Sequence, residues 1–177
     1  MYKSYWILVE GPDDESYAKG VIAPLVKNKY HCDYVHIYRY QNRPKKEVQD
    51  LLKSILAMGE KVLCFADIDE CPCVTSAKDR VRRKKFNDLP DDQIVIVQKE
   101  IEGWYLAGLD DISCKKLGFP RINTTEDLCK EEFNNMVKHS HDKFRSSVMQ
   151  EMLRLYDLDI AIAKNKSIKY VYYKHFS

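Results

Sequence analysis

Acidic side chains in this sequence gather where apolar runs end. Glu10, Asp13, Asp14 and Glu15 place four carboxylates in the six positions 10–15, directly behind Trp6–Val9. Asp67 and Asp69, with Glu70 beside them, follow the run "VLCFA". Glu100 and Glu102 follow "IVIV". Carboxylates brought close together repel, and their pKa values rise unless a cation neutralises them. Hard oxygen donors of this kind suit Mg2+ or Mn2+. A divalent ion held there would activate water or steady the oxygens of a phosphodiester. The stretch "KDRVRRKKF" (78–86) adds six basic residues in nine positions. Arg80, Arg82, Arg83, Lys84 and Lys85 are therefore candidate phosphate contacts, against the ordinary alternative of a solvated helix face.

These groups need elements to position them. Strands are expected at 5–9, 34–38, 61–66 and 94–97. The first, third and fourth are continuous apolar runs, the pattern of strands covered on both faces and hence of a parallel sheet. Helical spacing of apolar residues predicts crossovers over 16–26 and 47–58, and a weaker, very basic helix over 76–86. Gly59 serves as the stop after the second. The alternation predicts an α/β fold, a mostly parallel four-stranded sheet flanked by helices. Ligands of such sheets bind beyond the carboxyl ends of the strands, where Glu10, Asp67 and the acids after Val97 fall. If the chain stays extended through Asp67-Ile68-Asp69, period-two geometry points both carboxylates to one side. After Ile101 strand signals nearly stop. A helix is expected over 101–109, a helix start at Thr124-Thr125-Glu126-Asp127, helical spacing from Phe144 to Tyr156, and a last helix capped by Ser167. Residues 1–110 are expected to form the core domain and 111–177 a helical appendage packed on it.

"ILVEGPDD" followed by "VLCFADIDE" resembles the Toprim domain of topoisomerases, bacterial primases, ribonuclease M5 and the OLD family of nucleases. The match is Glu10-Gly11 after the first strand, Asp14 at the plus-four position, and Asp67-x-Asp69 after a later strand. "VQKEIEGWYLAGLD" is similar to the Glu-x-Trp segment of a small Toprim-like group related to the OLD-type nucleases, with Glu102 two residues ahead of Trp104. The resemblance covers about the first 110 residues. It departs after Asp69, where Glu70-Cys-Pro-Cys replaces a glycine-containing continuation. It implies a Toprim-like, Rossmann-like core with Glu10, Asp67 and Asp69 as catalytic, metal-binding acids and Asp14 and Glu102 as further ligands. By rough position it implies a catalytic lysine at Lys164. Asp13 and Glu15 lie outside the motif and most simply start a helix, where acids favour the dipole. Trp104 is read as a packing anchor.

The remaining bulk features narrow the class. The 177 residues carry a net charge of +2, which excludes a grossly basic coat protein but allows a local basic patch. No apolar run approaches the ~20 residues of a membrane helix. The N-terminus lacks a signal-peptide pattern, so a cytoplasmic protein with no membrane partner is expected. Six cysteines are read as reduced thiols, Cys64 as core, and Cys71-Pro-Cys73 has no second zinc-type pair. His139 and His141 are read as exposed loop histidines. The expected activity is a Mg2+- or Mn2+-dependent nuclease or related phosphoryl-transfer enzyme on DNA or RNA, which the resemblance connects with phage defence or DNA repair. Two alternatives stand beside it. One is a non-catalytic metal- or nucleotide-binding partner of a separately encoded ATPase, since the chain has no Gly-x-x-x-x-Gly-Lys-Ser/Thr loop. The other is a ribonuclease M5-like RNA-processing enzyme.

Overall fold

Tyr5, Ile7, Leu8 and Val9 are buried in β1 (Ser4–Val9), and the apolar stretch of β3 (Lys61–Asp67), Val62 to Ala66, is buried residue by residue. Strands covered on both faces need parallel neighbours and crossover helices, and the computed structural model has both. It describes residues 3–140 and 144–177, so His141 lies outside the described residues. β1, β2 (Tyr34–Arg39), β3 and β4 (Ile94–Val97) form one all-parallel sheet in the order β2-β1-β3-β4. Ile7 pairs with Ile37 on one side and Leu63 on the other. This is the α/β, Rossmann-like architecture expected. The chain divides into two compact units, Met1–Val97 and Gln98–Ser177. The division falls at the end of β4, ahead of residue 110, and assigns Glu102 to the second unit.

In the first unit, α3 (Lys45–Ala57) and α4 (Val74–Lys84) cover one face of the sheet. Val48, Leu52 and Ile55 of α3 and Ala77 and Val81 of α4 join Leu8, Cys64, Ala66, Ile94 and Ile96 in one buried cluster. Each large apolar side chain among them contributes ~1.5–3 kcal/mol of burial. The first crossover starts earlier than the apolar spacing predicts. α1 (Pro12–Tyr17) begins straight after Gly11, because proline at a first helical position has its φ preset and needs no donor. A π-helical segment (Ala18–Ile22) then leads into α2 (Ala23–Tyr30). Pro24 has no N–H for the carbonyl four residues back, which gives the ladder a reason to widen there. Because β1 feeds β2 on one side and the chain then crosses to β3 on the other, the strand order reverses between β1 and β3. That reversal is the crevice where open α/β sheets bind ligands.

The second unit is helical: α5 (Ile101–Ala107), α6 (Asp111–Lys116), α7 (Lys130–Ser140), α8 (Arg145–Arg154), α9 (Leu158–Lys164) and α10 (Lys166–His175). α5 is buried all round, Trp104 included. Three sequence expectations fail here, the first for a tertiary reason. Thr124–Asp127 does not start a helix. Thr125 N–H donates to Lys164 O at 3.4 Å, Asn165 Nδ2 donates to Thr125 Oγ1 at 3.0 Å, and the Glu126 carboxylate accepts from Lys166 N–H. These bonds hold the segment irregular until α7. Asn165, not Ser167, caps α10, its Oδ1 accepting from Ile168 N–H at 3.0 Å. His139 belongs to α7, not to a loop.

Candidate active site

Glu10 leaves β1 at the β1/β3 crevice, half-buried. The hydroxyl of buried Tyr40, one residue past β2, lies 3.1 Å from Glu10 Oε1 and 3.0 Å from the Phe65 carbonyl oxygen. Its single proton donates to one of these acceptors at a time. Burial, with Cys64 and Glu10 close by, pushes Tyr40's own ionisation far up, so the proton stays. The tyrosine hydroxyl is thus shared between the Glu10 carboxylate and the backbone of β3. Tyr40 is the site residue that sequence reasoning missed: no motif or spacing marks a tyrosine thirty positions from its acid.

At the end of β3 the chain does not stay extended. Asp69 has φ +45°, in the left-handed region, and Cys71 N–H closes a turn onto Ile68 O at 3.1 Å. Period-two geometry therefore does not align Asp67 with Asp69, which corrects the expectation. Asp adopts this conformation more readily than most residues because its short side chain bonds locally. Arg80 of α4 organises the turn. Its Nη1 lies 2.6 Å from Asp69 Oδ2, its Nη2 donates to the Asp67 carbonyl oxygen at 2.7 Å, and its buried Nε has no hydrogen-bond partner among the described residues. Glu10, Tyr40, Asp69, Arg80, Lys84 and Lys85 line one cleft of about 220 Å3. Asp67 is not among the residues that line it; its contact with Arg80 is through the backbone carbonyl.

Asp14 stands behind Glu10. Its Oδ2 accepts from Gly11 N–H at 3.0 Å, capping its own helix. Burial, with the charge of Glu10 added and the Gly11 bond opposing, pushes its pKa up to about 6. Glu10 is also pushed up, by burial first and by Asp69; the Tyr40 bond, Arg80 and Lys84 pull it down. Glu10 thus interacts with an acid on each side, and a cation would relieve both repulsions. Glu15, by contrast, pairs with Lys19 and with Arg39 at 2.9 Å on the helix surface.

The basic run splits by helical period. Arg80 and Lys84, four apart, face the cleft. Arg82 pairs with Asp79 and, at 2.9 Å, with Asp91, while Arg83 Nε donates to Asp79 O at 3.3 Å; with Asn87 they line a separate open groove of about 440 Å3. Lys85 donates to the carbonyls of Tyr40, of Gln41 at 2.8 Å and of Arg43 at 3.0 Å, clamping the loop behind β2.

The two site candidates of the second unit are engaged inside it. Glu102, 2% exposed, accepts from Arg145 Nη2 and has Lys130 Nζ at 3.9 Å. Lys164 Nζ donates to Leu109 O at 2.5 Å. Both have the partners of structural charges.

Among the described residues no group of three or more His, Cys, Asp or Glu side chains could hold a metal ion. The donor set of the cleft nonetheless fits Mg2+, which keeps several waters and uses one or two carboxylates plus substrate phosphate. Glu10 and Asp69 would supply those carboxylates. Fold and site thus define a Rossmann-like α/β unit with acids and guanidinium meeting at its switch point. Compared with protein-family models, with curated proteins and with solved structures, the chain matches none.

Proposed function

We propose that this chain is a Mg2+- or Mn2+-dependent nuclease, hydrolysing phosphodiesters of DNA or RNA at the β1/β3 cleft. The observation that carries the reading is the meeting of Glu10 and Asp69 with Arg80 and Lys84 in one cleft. A bound divalent ion supplies an activated water and neutralises charge on the phosphoryl oxygens. Glu10, fixed by Tyr40, and Asp69, fixed by Arg80, hold that ion. Arg80 has donors to share with a phosphate, and Lys84 adds a charge at the rim. Asp14 holds the Gly11 N–H at the turn that follows Glu10.

The test is incubation of the purified protein with single-stranded, duplex and structured nucleic acid in Mg2+ or Mn2+. The wild type is expected to cleave, and Glu10→Gln and Asp69→Asn to lose at least about a hundredfold in rate, the scale of losing a group that stabilises the transition state. A wild type that cuts nothing, or an Asp67→Ala/Asp69→Ala protein that cuts equally well, refutes it.

A further inference from the structure

The exposed positions of α10 form a single stripe. Lys166, Lys169, Tyr170, Tyr173 and Lys174 are exposed, while Ser167, Ile168 and Val171 are buried. The spacing i, i+3, i+4, i+7, i+8 is one face of a helix. Tyr170 is 61% and Tyr173 60% exposed, far more than a ring needed by the core. Lys174 Nζ sits 5.4 Å from the Tyr170 ring centroid, and the Tyr172 and Tyr173 rings meet edge to face at 5.4 Å. α10 carries no Asp or Glu. The Glu126 carboxylate nearest its start is turned onto the Lys166 backbone N–H. The stripe therefore offers two flat π surfaces among three cations, with no acid of its own helix to neutralise them.

We infer that this face of α10 binds single-stranded nucleic acid, with Tyr170 and Tyr173 stacking on unpaired bases and Lys166, Lys169 and Lys174 contacting phosphates. Charge decides for a polyanion over an apolar partner, since a groove-filling helix would meet three lysines on its way in. The rings decide for a single strand over a duplex, because only unstacked bases expose a face to them. Tyrosines at i and i+3 lie about 5–6 Å from each other along the surface, within reach of neighbouring bases of one strand. The inference rests on the nuclease reading in one respect: it names single strands as the substrate class.

The experiment is fluorescence anisotropy of a labelled oligothymidylate and an oligouridylate, each of about twenty nucleotides, with the whole chain in EDTA so that binding is read without cleavage. The Tyr170→Ala/Tyr173→Ala protein is expected to lose at least about tenfold in affinity, the Tyr170→Phe/Tyr173→Phe protein to keep wild-type affinity, and duplex of equal length to bind more weakly. Replacing the three lysines is expected to flatten the salt dependence, lowering its logarithmic slope by about 0.7 for each phosphate they neutralise. Equal binding by wild type and the alanine pair, or no binding by the wild type, overturns the inference. So does an alanine pair that changes only self-association by sedimentation, which would make the stripe an interface between copies. A wild type that binds through the tyrosines but cleaves nothing overturns the nuclease reading and leaves this one standing.

Discussion

Asp14→Asn is expected to stabilise the protein above neutral pH. The substitution keeps the shape and keeps a side-chain oxygen for the Gly11 N–H, 3.0 Å away, but removes a buried charge beside Glu10. The pKa rises from an ordinary 3.8 to about 6 in the folded chain. At about 1.36 kcal/mol per unit, that is a ceiling of about 3 kcal/mol against the ionised form. Loss of a charge-assisted hydrogen bond returns about 1 kcal/mol, leaving a net gain of about 1–2 kcal/mol at about pH 8. The sign follows from proton counting. Between the unfolded and folded values the native chain binds more protons, so this group's contribution is fully present below the unfolded value and is lost as pH rises through about 6. Urea midpoints in EDTA, measured from about pH 4 to about pH 8, read both quantities. The wild type is expected to weaken over that range relative to Asp14→Asn, the two converging at the acid end. Parallel curves, or a variant less stable than wild type at the alkaline end, would refute the argument that burial of charge dominates here.

Mg2+ is expected to raise the thermal midpoint more at about pH 8 than at about pH 5, because burial favours the protonated forms of Glu10 and Asp14 and an ion in the cleft must compete with those protons; equal shifts would point to binding elsewhere. Gly108→Ala is expected to destabilise by about 1–3 kcal/mol, since a Cβ there would come within 2.3 Å of the Tyr156 ring, and Tyr156→Ala in the same chain should restore part of the loss in a denaturant titration. Glu102→Ala is expected to destabilise by about 3 kcal/mol or more by leaving Arg145 without its carboxylate, with Glu102→Gln milder in the same titration. Lys85→Met is expected to lower the urea midpoint by loosening the loop clamped behind β2.

The strands were readable because a strand covered on both faces must be apolar at every position, so Val62–Ala66 and Ile94–Val97 announce a parallel sheet without any neighbour in view. Glu10 was readable for a related reason, as a charge at the abrupt end of such a run. The start of α1 was legible too, in Asp13 and Glu15, but apolar spacing pointed further along. Where local signals and tertiary bonds competed, local signals lost. Thr124–Asp127 has the composition of a helix start, yet Lys164, Asn165 and Lys166 take its hydrogen-bonding groups.

At the candidate site, local sequence determined which residue types stand at the strand ends, because hydrophobic patterning and turn chemistry act over a few positions. Which acids share a cleft depended on long-range contacts that no local pattern encodes. The left-handed turn at Asp69 undid the period-two alignment, Arg80 reached across thirteen positions to hold that turn, and Tyr40 bound Glu10 from the far side of β1. Glu102 and Lys164 stand in motif-like positions, yet their charges are bound to Arg145 and to the Leu109 carbonyl. Residue type is a property of the chain; the partner of a charge is a property of the fold.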